Sequence, residues 1–149
     1  MKQAKTLTQT ELRRVLDYIA TRKHAARNRA VVLMTYYAGM RVGEVAALTI
    51  ADIIDTEGQI KNEIRLTAEQ TKGNTARVIM VSEKLRKELA TYSKTLSYTD
   101  TSHSFFIPKN STNAALLLIR SLSSFILYIT MQVWKVRVVT VVDVHLLPI

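Results

Sequence analysis

The sequence contains no cysteine, which excludes a disulfide framework, a cysteine zinc site and a thiol nucleophile. Glycine and proline are scarce, with four and two residues, so collagen-like and low-complexity classes are ruled out. The opening Met1-Lys2-Gln3-Ala4-Lys5 lacks the apolar core of a secretory signal, which makes a cytoplasmic chain the default expectation. Acidic residues are in the minority: 12 Asp and Glu face 21 Lys and Arg, a net charge of +9. A cationic surface favours nucleic acid or an anionic membrane as partner, although a merely solubilising excess of charge gives the same balance.

What is present suits one domain, with or without a tail: 149 residues, 48% of them apolar and 22% charged. The composition changes near residue 114. Residues 1–113 hold 29 of the 33 charged residues and all four glycines. Residues 114–149 hold only Arg120, Lys135, Arg137 and Asp143 as charged residues, and 24 of their 36 positions are apolar. The domain expectation follows this break: an organised unit over 1–113 and an aberrant apolar tail over 114–149.

Within the first part, local signals agree. Thr8-Gln9-Thr10-Glu11 spells a capping box, in which Thr8 and Glu11 each satisfy an exposed backbone donor. Leu7 and Leu12 flank it as a hydrophobic staple, and Leu12, Val15, Leu16 and Ile19 keep helical spacing, predicting a helix over Thr8–Thr21. A second helix is predicted over Ala25–Ala38 and stops at Gly39, since glycine tolerates a left-handed cap. A short third helix, Arg41–Leu48, follows. Ile60, Ile64 and Leu66, then Val78, Met80 and Val81, predict strands around a Lys72-Gly73-Asn74 turn. Ser82 caps a further helix carrying Leu85, Leu89 and Tyr92.

Two segments carry the chemistry. If Arg41 opens the third helix, its guanidinium lies beside free backbone donors and the positive end of the helix dipole, a setting that favours phosphate. Glu44, three residues on, shares its face and can orient it. The planar fork of arginine can donate two hydrogen bonds to a phosphate. Alone, such a pair reads equally as a solvated surface ion pair. In Gln70-Thr71-Lys72-Gly73-Asn74-Thr75-Ala76-Arg77-Val78, Lys72 sits at a hairpin tip, where an ammonium can enter a DNA groove or donate a proton, and Arg77 lies on the next strand. Alone, this too reads as an exposed turn with solvating charge.

Taken in order, the segments resemble the tyrosine recombinase (phage integrase) family. The resemblance runs from about Leu7 to Tyr92. It rests on the Leu7-Thr8-x-x-Glu11-Leu12 opening, Thr35-Tyr36-Tyr37-Ala38-Gly39-Met40-Arg41-Val42-Gly43-Glu44, Leu48-Thr49-Ile50-Ala51-Asp52-Ile53, and Thr71-Lys72-Gly73 followed by Arg77-Val78. It implies an α+β fold: a mainly helical tyrosine recombinase catalytic-domain fragment with a small antiparallel three-stranded sheet. It also implies DNA integration and recombination through a 3′-phosphotyrosyl intermediate, with double-stranded DNA and other recombinase protomers as partners. No metal, nucleotide or other cofactor enters that chemistry. By the same resemblance Arg41 is the first phosphate-stabilising arginine, Glu44 its supporting acid, and Lys72 the proton donor to the leaving 5′ oxygen. Arg77 joins Arg41 and Lys72 as a DNA-binding residue.

The later family features are missing. Neither His103 nor His145 begins a His-x-x-Arg box, since Phe106 and Pro148 stand at the fourth positions. Of Tyr18, Tyr36, Tyr37, Tyr92, Tyr98 and Tyr128, five precede the nucleophile's place, and Tyr128 has no matching context. Back-translation offers a cause. Shifting the frame back one nucleotide forces an alanine at Met131 and a glutamate at Trp134. From Val139 onward it permits His-Ser-Gly-Arg-Arg-Thr-Phe-Ile-Thr-Asn, which contains such a box. The expectation is therefore a catalytically incomplete fragment whose tail, from about 110–120, is read out of frame. Two other readings stand beside it: a small basic DNA-binding or regulatory module acting on a full-length recombinase, and a membrane-associated protein anchored by 114–134. Arg120 and three serines weaken the membrane reading.

Overall fold

A computed structural model describes residues 7–71 and 73–106 of the chain. Helix α1, Gln9–Ala20, begins at the expected capping box. Glu11 N–H donates to the Thr8 hydroxyl at 3.3 Å, and Thr8 N–H donates to the Glu11 carboxylate at 2.8 Å. Leu12, Val15 and Ile19 form its buried stripe, with Leu7 and Leu16 packed at its margin.

Helix α2, Ala25–Ala38, is the centre of the fold. It buries five successive residues, Ala30 to Met34, so no single face accounts for its burial. Helix α1 packs against it, as does α5, Glu83–Ser93, which Ser82 caps and whose Leu85, Leu89 and Tyr92 are buried. Arg29 on α2 grips Glu88 on α5 with two hydrogen bonds of 2.9 and 2.8 Å. These bonds hold the Glu88 carboxyl below its usual range.

Gly39 ends α2 at φ 63°, a left-handed conformation that glycine takes without strain. The chain turns there, with Met40 buried, into α3, Val42–Ala47. Arg41 and Leu48 flank α3 as caps, so the helix is one residue shorter at each end than the spacing predicts. A second box, Thr49 with Asp52, starts the short α4, Ile50–Ile53, which the sequence reading did not separate.

Strands β1, Glu63–Leu66, and β2, Arg77–Met80, pair antiparallel in the register Glu63 with Met80, Ile64 with Ile79, Arg65 with Val78, and Leu66 with Arg77. The expectation of three strands is corrected to two among the described residues. Upstream, a single antiparallel bridge joins Ile54 to Ile60. The Asp55 carboxylate accepts the N–H groups of Glu57 and Gln59 at 2.9 Å each, closing the turn, and the helical Ile50–Ile53 just upstream leaves no extended residues for a longer ladder. Strand parity also differs from the sequence reading. Ile79 and Val81 are buried, whereas Val78 and Met80 face outward.

Beyond α5 the chain returns along α3 and α4. Phe105 N–H donates to the Leu48 carbonyl and Ile50 N–H to that of His103, both at 2.9 Å. Phe105 and Phe106 are buried with Tyr92, whose hydroxyl donates to the Phe105 carbonyl at 3.3 Å. Tyr92 stacks on Phe106 and meets Phe105 edge-on. Lys72, the tail from residue 114, the Tyr128 context and His145 lie outside the described residues. Among the described residues no helix is long and apolar enough to cross a membrane.

Candidate nucleic-acid interface

Arg41 sits at the N-cap of α3 in an extended conformation, φ −74° and ψ 149°. Its side chain is exposed. Among the described residues its guanidinium has no hydrogen-bond or ion-pair partner.

Glu44 departs from expectation. Its carboxylate accepts the main-chain N–H of Arg41 at 2.9 Å, and its second partner is the guanidinium of Arg77, not that of Arg41. The cause is local geometry. At an N-cap the side chain leaves the helix surface, so an acid at the third helical position reaches back to the cap's backbone donor. Glu44 is 3% exposed, and a buried carboxylate needs a cation and hydrogen bonds. Strand β2 supplies the cation. Arg77 shares the inward parity of Ile79, which brings its terminal nitrogen to Glu44. Arg77 was expected as a DNA contact; its half-exposed guanidinium also pairs with Glu44.

The segment between the strands is tied to α3 and to α4 by one side chain. Ala68–Gln70 forms one tight 3-10 turn. Gln70 Nε2 donates to the Ala47 carbonyl at 3.2 Å and to Asp52 Oδ2 at 3.0 Å. Thr71, which is buried, accepts the N–H of Thr75 on its side-chain oxygen at 3.1 Å. Its hydroxyl has the carbonyls of Thr75, at 2.9 Å, and Ala68, at 3.1 Å, as acceptors. Asn74 takes a left-handed φ of 49°. Lys72 itself lies outside the described residues, but both residues that bracket its loop reach α3. Sequence reasoning missed Gln70 and Thr71. The available signal for the Arg77–Glu44 contact was an acid inside the apolar helix Val42–Ala47.

Other candidates fall elsewhere. His24-Ala25-Ala26-Arg27 carries the letters of a His-x-x-Arg box but opens α2. The 14 residues of α2 put Arg27 about 20 Å along the helix from the Gly39–Arg41 turn. Arg27 donates to Asn28 Oδ1 at 3.2 Å and borders a separate cavity of about 420 Å³ with Tyr92 and Phe105. Desolvation, with repulsion from Arg27 and Lys23, holds the His24 imidazole below its usual range. Burial pushes the Tyr92 hydroxyl up to about 12.

Residues 5–122 match the model of the phage integrase family. The match extends past the Tyr92 limit of the motif resemblance and past the compositional break near 114. The chain is 33% identical over 87 residues to transposase A from transposon Tn554 of Staphylococcus aureus, an alignment covering 58% of this chain and 20% of that protein. The chain thus spans about a fifth of the length of that relative. Its fold is similar to the crystal structure of XerA recombinase, with a TM-score of 0.61 at 23% identity, covering 84% of this chain and 42% of XerA.

Proposed function

The chain belongs to the phage integrase family, and from that premise we propose that it is a DNA-binding fragment of a site-specific tyrosine recombinase catalytic domain. In this reading residues 1–113 are the amino-terminal part of that domain, and 114–149 are an aberrant tail read out of frame. The family match ends at residue 122, just past the 110–120 region where the frame change is proposed. The Ile54–Ile60 bridge is then the remnant of the sheet's third strand.

One observation carries the reading: an exposed Arg41 at a helix start, without a side-chain partner among the described residues, and a loop anchored to the same helix by Gln70 and Arg77. In this reading Arg41 binds the phosphate, and Lys72, in the loop that follows Gln70, is the second cation. Preorganised donors of this kind stabilise the charge that builds on a phosphate under attack. Lys72 supplies the proton for the leaving 5′ oxygen. Glu44 supports the arrangement through the main chain of Arg41. Arg77, half-exposed and neutralised by Glu44, adds less to the cationic surface than Arg41 does. The partner is double-stranded DNA, with other recombinase protomers as further partners.

These 149 residues hold no His-x-x-Arg box downstream of the hairpin and no tyrosine in the family's nucleophile context. Charge stabilisation without a nucleophile gives no covalent step. A suicide substrate carrying the element's own recombination site therefore yields no protein–DNA adduct with this chain. Restoring the upstream frame, with the downstream coding sequence and the amino-terminal DNA clamp, yields one. An adduct formed by the 149 residues alone, attached at Tyr128, contradicts the reading of the tail. Codons incompatible with the shifted His-x-x-Arg box contradict the frame change.

A further inference from the structure

We propose that Gln70 and Arg77 are positioning residues, holding the described ends of the loop between them against α3, the helix that Arg41 caps. This rests on the reading of Arg41 and Lys72 as the phosphate-facing pair. The two residues stand on opposite sides of the loop, and each reaches a different end of α3. Upstream, Gln70 Nε2 donates to the carbonyl of Ala47, the last residue of α3, and to Asp52 just beyond it. Downstream, Arg77 donates to Glu44 in the first turn of α3, the same carboxylate that holds the Arg41 main chain. Between them the hydrogen bond from Thr75 N–H to Thr71 draws the loop ends together.

Six helical residues therefore act as a ruler, with Arg41 at one end and both loop anchors along it. Burial decides the role of Arg77. If its guanidinium left Glu44 for a phosphate, a carboxylate 3% exposed would keep only one backbone donor. An uncompensated buried charge is strongly unfavourable. Among the described residues the Arg41 side chain has no such partner.

The test uses the 149-residue chain and two readouts: amide hydrogen exchange, and duplex DNA affinity as a function of salt. Arg77→Ala is expected to speed exchange at the amides of Thr71, Asn74 and Thr75 by at least about 10-fold relative to α1, because local opening sets these rates. Gln70→Ala raises the same amides, and Arg77→Lys, which keeps a cation for Glu44, returns most of the protection. The slope of log affinity against log salt stays unchanged in Arg77→Ala, since no phosphate contact is lost. If Arg77→Ala loosens α1 as well, the double variant Glu44→Gln/Arg77→Ala, with no buried unpaired charge, is read in its place. Loop amides that exchange as in the parent overturn the proposal. So does a salt slope shallower by about one unit, the mark of a lost phosphate contact. Failure of Arg77→Lys to restore protection counts against a charge-held strap. If the parent binds no DNA, the proposed function fails, and the exchange arm still decides whether the straps exist.

Discussion

A single carboxylate organises the site. Glu44 joins a helix start to a strand 33 residues away, and that contact could not be read from local spacing. Arg41 was legible because its setting, glycine stop and helix start, is local. The partner of Glu44 was not, because an acid three residues from an arginine is equally well served by the arginine's own backbone N–H. Tyr92 shows another long-range effect: its place in α5 follows from helical spacing, but Phe105 and Phe106, which bury it, lie after the helix. Because burial keeps the hydroxyl neutral, its pKa rises from 10.0 to about 12. The unfolded chain loses this proton first as pH rises, so the stabilisation is full below about pH 10 and is lost on approaching 12. A shift of this size corresponds to about 2–3 kcal/mol. Denaturant midpoints from pH 9 to 11.5 are expected to fall by more in the parent than in Tyr92→Phe. Parallel curves would show that Tyr92 is not the group responsible.

Among the elements, those with local punctuation were legible. Thr8 and Glu11 fixed the start of α1, Gly39 the end of α2, and Ser82 the start of α5. Helix α4 was not, because a four-residue helix between two caps leaves no hydrophobic period to read. Nor was the parity of β2. Val78, Ile79, Met80 and Val81 are all apolar, so alternation is silent, and only pairing with Glu63 and Arg65 turns Val78 and Met80 outward. Ahead of β1 the pairing is limited to the Ile54–Ile60 bridge among the described residues, because Ile50–Ile53 just before it is helical. The Gly39 turn can be tested directly. A Cβ built there meets nothing within 4 Å, so Gly39→Ala carries only the backbone cost of φ 63°. That cost is about 1–2 kcal/mol for a non-glycine residue in the left-handed region. Equilibrium unfolding should show a loss of this size with the helix content unchanged, whereas a neutral substitution would mean that α2 ends differently.

For the whole molecule, charge and family point the same way. A net charge of +9 and an exposed Arg41 at the start of α3 are the features on which the proposed polyanion surface rests. The fold is a mixed, helix-rich one similar to that of XerA recombinase. The aberrant composition beyond residue 114 was visible in the sequence, but which atoms meet DNA depends on contacts between distant segments. The central claim, that Arg41 and the loop beside it form a phosphate-binding surface, is tested most directly by titrating duplex DNA with the chain and with Arg41→Ala over a range of salt. The account predicts weak binding with little sequence preference that falls steeply as salt rises, because bound counterions are released on association. It predicts that Arg41→Ala weakens binding uniformly across sequences and makes the salt slope shallower by about one unit. Binding that ignores salt, or an Arg41→Ala variant with unchanged affinity and slope, would contradict it.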